Sequence, residues 1–175
     1  MRALTGGTVS IFTYKHGLLS RVAHDLRIRV DRFEIRPSDW GPEGAAVTAE
    51  FYPESFRVEG AMRQGELAPD SLSASDKRQI EDTLTRTILR SAPVRFDGTA
   101  RAEGSSYRVE GALELARNTA NISFLLMKAD SCQLTGALEL APSRWGIEPY
   151  SALLGAIKLQ DRVRVVFELP LPEPS

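Results

Sequence analysis

Three stretches of the chain carry the same alternation, and they restrict the fold more than anything else in it. Tyr107 to Ala116 reads YRVEGALELA, Cys132 to Ala141 reads CQLTGALELA, and Phe56 to Gly65 reads FRVEGAMRQG. Successive side chains on a strand point to opposite faces. Tyr107, Val109, Gly111, Leu113 and Leu115 therefore share one face, with Arg108, Glu110, Ala112 and Glu114 on the other. Cys132, Leu134, Gly136, Leu138 and Leu140 keep that register, as do Phe56, Val58, Gly60 and Met62. This is the pattern of half-buried antiparallel strands. A glycine at the same register of each is where a sheet bends or another backbone comes close.

The rest of the chain extends the count to about eight strands. Thr8 to Lys15 reads as the first and Asp25 to Ile35 as the second. The step from Val30 to Phe33 is odd, which predicts a bulge at Asp31-Arg32. Pro37 to Gly44, PSDWGPEG, is punctuated as a loop. Val47, Ala49 and Phe51 continue a strand up to a break at Pro53, and Phe56 to Met62 resumes it. Val94 to Ala102, Tyr107 to Ala116, Ile122 to Met127, Cys132 to Leu140 and Val163 to Leu169 follow. Cys132 falls on the apolar register, where a buried thiol is expected.

Two segments change period. Across Ser73 to Arg90 the residues Ile80, Leu84 and Ile88 form one helical stripe, with Ser73 or Ser75 as cap, Asp76 in the first turn and Pro93 barring continuation. After Pro149, the residues Tyr150, Leu153, Leu154 and Ile157 follow the spacing of a short helix, whose apolar side must cover either core or a cavity mouth. The expectation is thus an all-β antiparallel barrel with one longer and one short helix, occupying residues 1–169. The Pro-rich residues 170–175 form a tail in solvent.

Charge and motif content narrow the function. With 22 basic and 23 acidic residues the net charge is −1, which supplies no field for nucleic acid. No run approaches the ~18 apolar residues of a spanning helix, and MRALTGG leads into a strand without a signal-peptide core. This places the chain in the cytoplasm, or in the periplasm if its native N-terminus has been trimmed. Two histidines and one cysteine make a poor metal set, so no metal or cofactor is expected. His24 and Asp25, adjacent in an extended segment, point to opposite faces and make no dyad. No nucleophile elbow, phosphate loop or dinucleotide fingerprint occurs. A barrel of about eight strands either fills with side chains or keeps room for one ligand, and the sequence leaves that fork open.

Three segments carry a resemblance. HGLLSRVAHDLRI, His16 to Ile28, resembles the segment after the first strand of the YceI-like family. YRVEGALEL, Tyr107 to Leu115, is similar to that family's central strand, and SRWGIEPYSALLGAIKLQDRVRVVFEL, Ser143 to Leu169, looks like its C-terminal ending. The resemblance implies a lipocalin-like barrel that encloses a long apolar ligand, a polyisoprenoid or a polyprenyl quinone, and a homodimer. On that reading Phe12, Tyr14, Phe51, Leu113, Leu115, Phe124, Leu138 and Phe167 form the cavity wall, with Tyr150, Leu153 and Leu154 as a lid, and binding is non-enzymatic. The alternatives are a filled barrel serving as an interaction module and, ranked last, a hydrolase-like enzyme with His16 or His24 as base.

Overall fold

Alternation in sequence becomes inside and outside in space. The computed structural model describes residues 3–16, 25–129, 132–152 and 157–172. Within these are twelve antiparallel strands: β1 (Thr8–Lys15), β2 (Asp25–Val30), β3 (Phe33–Pro37), β4 (Gly44–Phe51), β5 (Phe56–Arg63), β6 (Glu66–Ala68), β7 (Val94–Glu103), β8 (Ser106–Leu115), β9 (Asn118–Ala129), β10 (Gln133–Leu140), β11 (Ser151–Ala152) and β12 (Ile157–Pro170). Leu26, Ile28 and Val30 of β2 are buried, while Arg27 and Arg29 between them turn outward to Glu59 and Asp31.

Two kinks, with β6 and β11 lying off the circle, reduce the twelve strands to a ring of eight. β2 and β3 are one strand broken at Asp31-Arg32, as the phase slip predicts, and β4 and β5 are one strand broken by a turn at Pro53–Ser55. The breaks face each other. Asp31 N–H donates to the Ser55 carbonyl (3.1 Å), Arg32 N–H donates to Ser55 Oγ (3.0 Å), and that hydroxyl donates to the Tyr52 carbonyl (2.7 Å). β1 pairs with β2, and further along the same register Leu4 pairs with Ile35 of β3. The circle then runs through β4, β7, β8, β9, β10 and β12 back to β1. This is an all-β lipocalin-like barrel, the size at which the interior is either just filled or holds one small ligand.

The shared glycine register has a steric cause. Gly98 and Gly111 are opposite one another on β7 and β8, and the Phe96 ring lies over both. A Cβ on Gly111 would stand 2.3 Å from the Asp97 carbonyl oxygen and 2.5 Å from Gly98 Cα. Only hydrogen fits there.

Below the kink β5 leaves β4's partner β7 and pairs with β6, and a helix covers the seam. It runs as α1 (Ala74–Asp82) and continues as a π-helical segment, Thr83–Ile88. Ser73 caps it in a capping box with Asp76. Its side chains satisfy the strand edge: Val58 N–H donates to Glu81 Oε1 (2.8 Å) and Lys77 Nζ donates to the Glu59 carbonyl (2.9 Å). Left-handed Arg90 and Ser91 end it ahead of Pro93. Among the described residues no helix is long and apolar enough to cross a membrane.

Three expectations are corrected. Among the described residues after Pro149 no helix is found: Ser151 and Ala152 pair with Lys158 and Ile157, and Leu159 N–H donates to the Tyr150 carbonyl (3.0 Å). β12 extends to Ile157 and pairs with Ser151–Ala152, which a single turn of helical spacing does not outweigh. Cys132 is exposed, because it lies in the turn before β10 begins. The tail does not leave the barrel at Pro170. Leu171 N–H donates to the Cys132 carbonyl (2.8 Å), and Pro172 is buried.

Candidate functional site

The inward faces of the ring enclose a cavity of about 260 Å³. Every long strand contributes to its wall. β1 presents Val9, Ile11 and Thr13; β8 presents Val109, Leu113 and Leu115; β12 presents Val163, Val165, Phe167 and Leu169. The Phe124 and Phe167 rings stack across the interior at 5.4 Å between centroids. The helical segment and its end add Leu84, Ile88 and Leu89, so Leu84 and Ile88 of the stripe read from the sequence face the cavity.

The two ends differ in construction. At one end Trp40 rises from the loop between β3 and β4, packs against Tyr107 with ring centroids 4.7 Å apart, and is joined by Leu4, Leu169 and Pro172. At the other end stand Pro142, Ile147, Glu148, Pro149, Tyr150, Leu159, Gln160 and Arg162. Beneath this rim Trp145 is fully buried in the turn Pro142–Trp145. Its indole Nε1 donates to the Leu113 carbonyl (2.8 Å), and Asn118 Nδ2 donates to the Trp145 carbonyl (2.8 Å). A buried indole with its N–H satisfied fixes this corner of the barrel against β8.

The rim charge is paired on the outside. Arg162 Nη2 donates to Glu139 Oε1 (2.5 Å), and its guanidinium lies 4.7 Å from the Tyr14 ring centroid. The hydrogen bond from Arg162 holds the Glu139 carboxyl below its ordinary range and holds the guanidinium's own pKa up. The strand arginines follow the expected pattern of outward ion pairs, with Arg27 on Glu59 and Arg95 on Glu50.

Of the residues expected to form the wall, Phe51, Leu113, Leu115, Phe124, Leu138 and Phe167 line the cavity, and Tyr150 lines its rim. Phe12 and Tyr14 do not. β1 presents its odd-numbered residues inward, so both rings lie on the outer face, one register step from where they were expected. Leu153 and Leu154 lie outside the described residues, as does His24; His16 is exposed at the end of β1. Trp40 and Trp145 were missed. Both sit in loops next to glycine, where period-two reading has no purchase, although a tryptophan in such a loop is itself a sign of something buried.

No family model matches the sequence, and no curated protein matches it either. Solved structures do share its fold. BcnA of Burkholderia cenocepacia superposes with a TM-score of 0.63 at 15% identity, covering 95% of this chain and 96% of that one. A polyisoprenoid-binding domain from Saccharophagus degradans, implicated in plant cell wall breakdown, gives 0.60 at 10% identity over 98% and 96% of the two chains. A mutant CJ YceI protein with a monobromobimane guest gives 0.57 at 10% identity, over 91% and 90%. The chain has the YceI-like fold over nearly its whole length.

Proposed function

We propose that this barrel binds and carries a lipid with a long apolar chain, of the polyisoprenoid or polyprenyl-quinone class, without chemical conversion. The observation that carries this reading is the cavity: a wall contributed by every long strand and by the helix, hydrocarbon almost throughout, and closed at one end by Trp40. Binding a polyisoprenoid is what the Saccharophagus degradans domain is described as doing, and it shares this fold. Each methylene of a chain buried there contributes ~0.8 kcal/mol of gross burial, from which association and chain ordering subtract.

Leu113 tests the wall. It is buried on the central strand between Phe96 and Ala120. Leu113→Trp places an indole across the cavity, and farnesol binding followed by calorimetry is expected to disappear while the far-ultraviolet circular dichroism stays that of the parent. Undiminished binding by a folded variant would remove Leu113 from the wall and undercut the cavity as the site.

A further inference from the structure

The cavity is not uniform along its length. Among the described residues, the lining side chains that carry a polar atom are Thr13, Trp40, Glu148, Tyr150, Gln160 and Arg162, and all but Trp40 gather at one end. Strand register explains the clustering. Thr13 pairs with Val163, and the next pair is Lys15 with Leu159, so Gln160, Asp161 and Arg162 bulge out opposite Tyr14 alone. That bulge brings Gln160 and Arg162 to the rim beside Thr13. The far end, around Leu4, Ile35, Leu134, Leu169 and Pro172, offers hydrocarbon.

At the polar end two groups are already engaged. Gln160 Nε2 donates to the Lys15 carbonyl (2.9 Å), and Arg162 is bound to Glu139. Thr13 differs. Its Oγ1 is buried and has no hydrogen-bond partner among the described residues, and its side chain lines the cavity. A buried hydroxyl without a partner is destabilising, and valine has the same shape without that penalty. A threonine hydroxyl both donates and accepts, so it can meet either a hydroxyl or a carbonyl oxygen.

Resting on the carrier reading above, we infer that the cavity takes its ligand in one orientation: a neutral oxygen, hydroxyl or carbonyl, hydrogen-bonded to Thr13 at the Gln160–Arg162 end, with the apolar chain running toward Trp40. A neutral head is specified because Arg162, the cation lining the cavity among the described residues, is neutralised by Glu139, and an unpaired charge in this hydrocarbon setting would be expelled.

Paired probes test the assignment: farnesol, and farnesene, which has the same carbon skeleton without the hydroxyl, each titrated against the parent protein, Thr13→Val and Thr13→Ser. Loss of one hydrogen bond is expected to weaken farnesol binding to Thr13→Val roughly tenfold. Farnesene binding stays at the parental level, and Thr13→Ser, which keeps the hydroxyl, holds farnesol as the parent does. Thermal unfolding of Thr13→Val at or above the parental temperature would confirm the hydroxyl as uncompensated in the empty barrel. Farnesol bound equally by Thr13→Val and the parent overturns the anchor and leaves the carrier reading standing. Failure of the parent to bind either probe overturns the carrier reading, and the anchor with it. Should Thr13→Val not fold, Thr13→Ala replaces it with the same expectations for the two probes.

Discussion

Replacing Gly111 with alanine adds one methyl group at a point where the facing backbone leaves no room for it. The new Cβ would lie 2.3 Å from the Asp97 carbonyl oxygen, 2.5 Å from Gly98 Cα and 2.8 Å from Phe96 Cζ. Two of the three obstacles are backbone, so a change of side-chain rotamer cannot relieve them. The β7–β8 ladder itself must move. Overpacking of this sort costs about 1–3 kcal/mol, and a rigid ladder puts this case in the upper half of that range. For a chain of 175 residues each kcal/mol corresponds to roughly 2–4 °C in melting temperature, giving an expected fall of about 4–12 °C by circular dichroism. The added methyl also displaces the Phe96 ring from the cavity wall, so farnesol binding should weaken in the same variant. Gly6→Ala is the control, since nothing lies within 4 Å of its Cβ and its melting temperature should hold. A Gly111→Ala protein melting within about 1 °C of the parent would show that the ladder yields freely and that the recurring glycine has another cause.

Trp145→Phe removes the donor to the Leu113 carbonyl from a fully buried site; urea unfolding should show a loss of about 1–3 kcal/mol, and an unchanged midpoint would mean the indole does not fix the rim. Asp76 has its carboxyl held below the ordinary value of 3.8, chiefly by the Ser73 hydroxyl. A depressed folded pKa contributes stability that is present above the unfolded value and is lost as pH falls through the folded one. Asp76→Asn should therefore melt below the parent at neutral pH, with the gap closing as the pH drops below 3.8; a gap that persists in acid would contradict the capping-box account.

What the sequence made legible is what period and punctuation encode. The alternation around Gly111 and Gly136, the phase slip at Asp31-Arg32 and the break at Pro53 together specify eight long strands, two of them kinked, and the Ile80-Leu84-Ile88 stripe specifies a helix laid on the barrel. β1 resisted the same reading because TVSIFTYK is apolar on both parities. Its larger residues, Phe12 and Tyr14, face out, where Tyr14 stacks on the Arg162 guanidinium, while the smaller Val9 and Ile11 face in. Ser151–Ala152 pair instead with β12, a ladder that outweighs four residues of helical spacing and that no helical period encodes. Trp40, Pro142, Ile147 and Pro172 reach the cavity from loops and from the tail, so no strand or helix periodicity marks them. The Thr13 hydroxyl stands out only once its neighbours are known, because an isolated threonine in a strand is ordinary.

The most direct test of the carrier account is native mass spectrometry of the protein purified from its own host, followed by organic extraction and identification of what is released. The account predicts a co-purifying lipid with an apolar isoprenoid chain and a neutral oxygen at its head. A protein that arrives empty, and takes up neither farnesol nor a longer prenyl lipid when offered them, would contradict it and leave a barrel filled by its own side chains.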